Sequence, residues 1–134
     1  MKIEVSNGEI LDKYTILQIK MDMIEDDSKL ENVRREFEVL TPKVDSIFSS
    51  CKNQDGLESL YGDLLEVNGK LWDIEDRIRD CERSGDFSDT FVQLARSVYF
   101  TNDERALVKK KINALTSSSL VEEKSYSDYK RKDQ

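Results

Sequence analysis

The sequence contains no histidine. That absence removes Ser-His-Asp and Cys-His catalysis, histidine-ligated zinc and the commonest general base. Two cysteines, Cys51 and Cys81, are too few for a structural zinc site in one chain when no histidine can assist. Each ends an apolar stripe and reads as a small buried hydrophobe in a reduced compartment; a disulfide between them requires two helix ends to meet. No phosphate loop is present, since neither GxxxxGK(S/T) nor GxGxxG occurs. No apolar run approaches the roughly 20 residues that span a bilayer, and the opening MKIEVSNGEI lacks a hydrophobic signal core. A cytoplasmic protein with no membrane partner is expected. One proline and five glycines leave little of the chain for turns or linkers.

What the chain does have is charge. Its 134 residues are 37% charged and 37% hydrophobic, against about 25% and 45–50% in average domains. Long amphipathic helices, which carry much surface for their core, suit that balance. The net charge of −7 is unevenly spread. Residues 1–101 carry 13 basic and 22 acidic side chains, whereas residues 102–134 carry 8 and 6. An acidic body repels nucleic acid and anionic membranes, so no nucleic-acid partner is expected.

Apolar residues recur at helical spacing along most of the chain. Ile3 and Val5 alternate with polar residues in a short extended piece, and Ser6 with Glu9 forms a capping box that opens a helix. Ile10, Tyr14, Leu17, Met21 and Ile24 mark its face, and Leu11, Ile16, Ile19 and Met23 widen it, as in a central helix. Leu17, Ile19, Met21 and Met23 also alternate like a strand; length and the cap favour the helix. Ser28 with Glu31 repeats the capping box. Leu30, Val33, Phe37, Leu40, Val44, Ile47 and Cys51 then keep one register through Pro42, predicting either one kinked helix or a new start at Thr41-Pro42. After a loop at residues 53–56, with Asp55 and Glu58 as a third box, comes the longest stripe. It comprises Leu57, Leu60, Leu64, Val67, Leu71, Ile74, Ile78 and Cys81, and ends at Ser84-Gly85. Phe87, Phe91, Leu94, Ala95 and Val98 predict a shorter helix. Thr101 to Glu104 forms a fourth box, opening a last helix through Ala106, Leu107, Ile112 and Leu115. The expectation is an all-α antiparallel bundle of about five helices, residues 1–116, around the long helix at 57–83. A polar tail at 117–134 docks on the bundle or on a neighbour. Ile74, Ile78 and Cys81 are left with little chain to cover them, which predicts a homodimer, or a protein partner, at that end.

Three groups of side chains could carry chemistry. Asp63, Glu66, Asp73 and Asp76 lie on the long helix as two pairs three residues apart, the spacing by which all-helical nucleotide pyrophosphatases hold Mg²⁺. Glu66, Asp73 and Glu75 also precede Lys70, Arg77 and Arg79 by four, the favourable orientation for surface ion pairs. Cations among would-be ligands make a solvated helix face the better reading. Arg96, Tyr99, Asn102 and Arg105 cluster around the expected junction of the last two helices, either bracing it or forming a small-anion site. Asn68, beside Val67 and Trp72 on the inner side, suits a register-setting polar group. Lys109 to Lys111 read as a solvated run.

MKIEVSNGEILDKYTILQIK, VNGKLWDIEDRIRDCE, FVQLARSVYFTNDERALVKKKIN and LVEEKSY, in that order, resemble a family of short uncharacterised proteins associated with marine bacteria and the tailed phages of cyanobacteria. Some of its members occur beside glycan-related or repeat domains. The resemblance covers about residues 1–129. It implies a small helical domain of phage or bacterial origin with no assigned activity, so it transfers no catalytic residues. It also implies that ARSVYFTNDERA and EEKSY share one surface. The leading functional expectation is a non-enzymatic protein–protein interaction module. Behind it stand a Mg²⁺-dependent nucleotide hydrolase using the four carboxylates, and an accessory domain taking a small anionic or glycan-linked ligand at Arg96 and Arg105.

Overall fold

The computed structural model describes residues 1–118, 120–123 and 125–129; the remainder of the expected tail lies outside it. Four helices follow in order: α1 (Asn7–Met23), α2 (Asp27–Ser50), α3 (Gln54–Ser84) and α4 (Asp89–Leu115). No strand occurs among the described residues, and the N-terminal piece before α1 carries no regular structure. None of the helices is long and apolar enough to cross a membrane.

The helix starts follow local capping chemistry, though not always at the expected residue. Ser6 caps α1 as predicted, its hydroxyl accepting from the Glu9 backbone N–H at 3.0 Å. The Glu9 carboxylate turns away to Lys109 instead of closing the box, an ion pair of 2.5 Å. In α2 the cap is Asp26, which accepts from the Lys29 N–H and from the Ser28 hydroxyl. A carboxylate is the stronger acceptor and draws Ser28 into the first turn. Asn53 rather than Asp55 caps α3 through the Gly56 N–H. Gly85 ends α3 in the left-handed conformation at φ 71°, where a side chain would be strained.

The expected fourth and fifth helices are one. Thr101 to Glu104 lies in the middle of α4 and caps nothing. The reason is an inward seam that never breaks: Leu94, Val98, Thr101, Arg105, Val108 and Ile112, spaced by 4, 3, 4, 3 and 4. Two members of that seam are polar, which disguises it as a gap between two helices. α2 likewise runs uninterrupted through Pro42. Pro42 cannot donate to the preceding turn. Beside it the Thr41 hydroxyl donates to the Phe37 carbonyl, and the Tyr14 hydroxyl meets Thr41 at 2.9 Å. Tyr14 also stacks on Phe37 with ring centroids 4.2 Å apart, so α2 is tied to α1 next to its proline.

The long helix shares the centre of the bundle with α1: each meets all three other helices, while α2 barely meets α3 and does not meet α4. From Ser6 to Met21, in α1 and its cap, only Lys13 is exposed. The main core joins Ile10 and Leu11 to Val44, Ile47, Cys51, Leu57, Leu64, Val67 and Ile112. α3 and α4 form the most extensive pair, so the far end of α3 is met by the same chain's α4. There Cys81 is buried and Ile74 and Ile78 are half-buried, which removes the uncovered stripe on which the dimer expectation rested. Both cysteines are buried free thiols.

Candidate functional site

A knot of polar side chains lies where α1, α3 and α4 meet. Asp12 projects from α1 with its side chain only 1% exposed. Arg105 of α4 reaches it as a fork: Nε donates to Oδ1 at 2.8 Å and Nη2 donates to Oδ2. From α3, the Asn68 amide donates to Asp12 Oδ1 and to the Thr15 hydroxyl, both at 2.9 Å. Thr15 passes its own proton to the Asp12 carbonyl at 2.7 Å. Hydrogen bonding to Asp12 holds the Arg105 guanidinium above its ordinary pKa, against the opposing effect of burial. Helices α1, α3 and α4 thus each contribute to one satisfied network, which fixes the register of three helices at once.

The knot opens outward. Arg105 and Asn68 form the floor of a groove of about 530 Å³ whose walls include Trp72, Leu71, Arg79 and Asn102. Two of the five Arg105 N–H donors go to Asp12, and the others are free to meet a guest. Arg79 in the wall is held by Glu75 at 2.6 Å. The groove is amphipathic and nearly charge-balanced.

The four α4 residues expected to work together do not share one place. Asn102 and Arg105 line the groove. Tyr99 lies outside it and packs on Phe100 and Tyr129, with centroids 4.8 and 5.2 Å away. Arg96 is exposed, 3.4 Å from Gln93 and over the Phe100 ring at 5.8 Å. The junction imagined between two helices does not exist, and on one straight helix Arg96 and Arg105, nine residues apart, face opposite ways.

The outer side of α4 is unexpectedly apolar. Val92, Tyr99, Phe100 and Leu107 are 46%, 42%, 41% and 53% exposed, on the side of the helix opposite the inward seam. The tail runs close by. Tyr129 lies against both Tyr99 and Phe100, and Tyr126 borders the same hollow as Tyr99 and Asn102.

A second contact of the tail closes over the start of α1. The first three helical N–H groups, which have no partner within a helix, donate to Ser118, Asn113 and Ser6 in turn. Glu122 then accepts from the Ser6 hydroxyl and from the Asn113 amide. Burial works to raise the Glu122 pKa, but these bonds and nearby Lys109 outweigh it and hold the carboxyl below its ordinary range. Gly8 permits this close approach: a Cβ there would lie 2.7 Å from the Lys109 carbonyl oxygen and 2.9 Å from Asn113 Oδ1.

The chain belongs to DUF6165, a family of unknown function, whose profile matches residues 1–130. No curated protein and no solved structure matches it. Family membership therefore fixes no residue role, and the geometry has to speak for itself.

The helix-face carboxylates separate into two places. Asp63 and Glu66 border a shallow hollow with Lys70 and Glu104. Asp73 and Asp76 border another, with Asp22, Trp72 and Gly69. No group of three or more Asp, Glu or Cys among the described residues is placed to hold a metal ion. Asp73 pairs with Arg77 at 3.9 Å and Glu75 with Arg79, both four residues apart and mostly exposed. Sequence reasoning passed over Asp12. Its signal was present: Asp12 precedes Ile16 by four and Ile19 by seven, so it sits within the widened apolar face of α1. A carboxylate in such a face needs a partner, and Asn68 was already marked as an inward polar group.

Proposed function

We propose that this protein is a non-enzymatic protein–protein interaction module, cytoplasmic and of phage or bacterial origin, that docks through the outer face of α4. One observation carries the reading: an exposed apolar and aromatic strip opposite the buried seam of the same helix. A helix packed on one side only is expected to present polar residues to water. Contiguous exposed apolar surface rich in aromatics is the signature of an interface. Here Val92, Tyr99, Phe100 and Leu107 give the bundle no core of their own.

The test is photo-crosslinking in the cell that makes the protein. A benzoyl-phenylalanine at Phe100 or Leu107 should give one discrete heavier species, and the same group at exposed Arg34 of α2 should give none. No product at either α4 position overturns the reading.

A second reading has its own support, the groove lined by Trp72, Asn102 and Arg105. Helical bundles hold small ligands between helices, and free guanidinium donors beside an indole suit a small anionic or hydroxyl-rich guest. A thermal-shift screen with sugars and nucleotides, with and without Mg²⁺, tests it. A rise abolished by Arg105→Lys supports the groove; a rise that needs Mg²⁺ and Asp73 returns the hydrolase reading. That third reading ranks last because its two carboxylate pairs open onto different hollows.

A further inference from the structure

The groove where α3 meets α4 carries unused hydrogen-bonding groups of both kinds. Arg105 meets Asp12 through Nε and Nη2, which form one edge of the guanidinium. The end-on edge, Nη1 with the second N–H of Nη2, keeps a pair of roughly parallel donors. Nη1 bonds to nothing, and among the described residues no buried side-chain nitrogen or oxygen lacks a partner. Nη1 is therefore open to water on the floor of the groove. Asn68 commits its amide nitrogen to Asp12 and Thr15. Its carbonyl oxygen bonds to nothing and by the same argument reaches solvent, although the residue is only 5% exposed. At the rim Asp76 is exposed and pairs with no side chain among the described residues. The groove thus presents a donor pair on Arg105 and unused acceptors on Asn68 and Asp76.

Charge and shape narrow the guest. Arg105 is neutralised by Asp12 and Arg79 by Glu75, which leaves the Asp76 carboxylate in excess. An anion would find no net positive charge here, so the fork favours an uncharged guest with two adjacent acceptors. Trp72, Leu71 and Ile16 supply an apolar wall that suits a flat ring. Guanine meets all of these terms. Its O6 and N7 are the adjacent acceptors that an arginine fork reads. Its N1–H and 2-amino group, on the neighbouring edge, are donors for a carboxylate or an amide oxygen. Adenine sets an amino donor where the fork needs an acceptor, and cytosine offers two acceptors with a single donor group and a smaller face.

We infer that this groove binds a guanine base, as the uncharged base or nucleoside, with Arg105 on O6 and N7, Trp72 stacked on the ring, and Asn68 and Asp76 as acceptors. A groove of about 530 Å³ has room for the base and its ribose. The inference rests on the small-ligand reading of the groove and names the ligand; it does not depend on the outer strip of α4.

Trp72 is the only tryptophan in the chain, so its fluorescence reports on the groove directly. The test titrates the full chain with guanosine, adenosine, cytidine and guanosine 5′-monophosphate. Guanosine should quench Trp72 saturably, and adenosine and cytidine should bind about tenfold more weakly or worse, because each leaves polar groups of the site unpaired. The monophosphate should bind no tighter than guanosine. Arg105→Lys keeps a charge beside Asp12 but loses the fork, and should weaken guanosine about tenfold or more. Asp76→Ala, at an exposed position, should leave the melting temperature unchanged and weaken guanosine about tenfold. No saturable quenching by guanosine, equal affinity for guanosine and adenosine, or tighter binding of the monophosphate overturns the inference. If guanosine is silent while a sugar raises the melting temperature through Arg105, the guanine inference fails and the small-ligand reading of the groove stands. If no probe binds, both fail.

Discussion

Leu107 and Val108 are neighbours in sequence and opposites in environment. Leu107 points to water, whereas Val108 packs against the core. The two sides of α4 that they represent each break the simple amphipathic rule, in opposite senses. The inner side carries Thr101, Arg105 and Asn113. The outer side carries Val92, Tyr99, Phe100 and Leu107. The inner violations are answered inside the molecule: Arg105 has Asp12, and Asn113 has Gly8 and Glu122. The outer ones meet Arg96 and the tail's Tyr129, and stay about two-fifths to one-half exposed. A polar residue in a seam therefore speaks of architecture when its partner is present, and an apolar residue on a wet face speaks of something beyond the single chain.

Substitutions should separate the two sides by size of effect. The largest belongs to Arg105→Ala, which strands a buried Asp12 carboxylate. Breaking a buried pair costs about 3–5 kcal/mol; with Arg105 itself 29% exposed, water can enter, and about 3 kcal/mol is expected in urea unfolding. Asp12→Asn combined with Arg105→Met should be milder than Arg105→Ala alone, since no charge is left unpaired. Next comes Gly8→Ala. Its Cβ would run into the backbone of α4 at Lys109, and separating the helices should cost about 1–3 kcal/mol by the same measurement.

A smaller effect on the inner side depends on pH. Because the folded pKa of Glu122 is depressed, its contribution is present above the ordinary value of 4.5 and is lost as pH falls through the lower folded value. The gap in melting temperature between the natural chain and Glu122→Gln should thus be open at neutral pH and close below 4.5. A constant gap would mean that the carboxylate charge is not what holds the tail to Ser6 and Asn113. The smallest effect is expected outside. Leu107→Glu should change unfolding stability by no more than about 0.5 kcal/mol, and a larger loss would show that the outer strip helps to hold the bundle itself.

Much of the fold could be read directly from periodicity. The stripes of α1, α2 and α3, the stop at Gly85 and the Ser6 cap are local features, legible because a helix repeats its environment every three to four residues. The merged α4 was not legible. Thr101-Asn102-Asp103-Glu104 has the composition of a cap, and only a helix already held on both sides of it, by Leu94 and Ile112, makes those residues continue. The same merger separates the expected cluster, since Arg96 and Arg105 converge only if a turn lies between them. Asp12 was hidden for a different reason. Its partners are 56 and 93 residues away in sequence, at Asn68 and Arg105.

Sequence alone therefore determined the class of the molecule: all-helical, acidic, without histidine chemistry, with helices of set phase. These properties depend on composition and on spacing within a few turns. Tertiary structure decided that α1 shares the centre with the long helix, that two expected helices are one, and that Arg105 looks inward while Arg96 looks out. Those outcomes depend on which side chains from distant parts of the chain satisfy one another, and a buried carboxylate accepts whichever donor the packing brings to it.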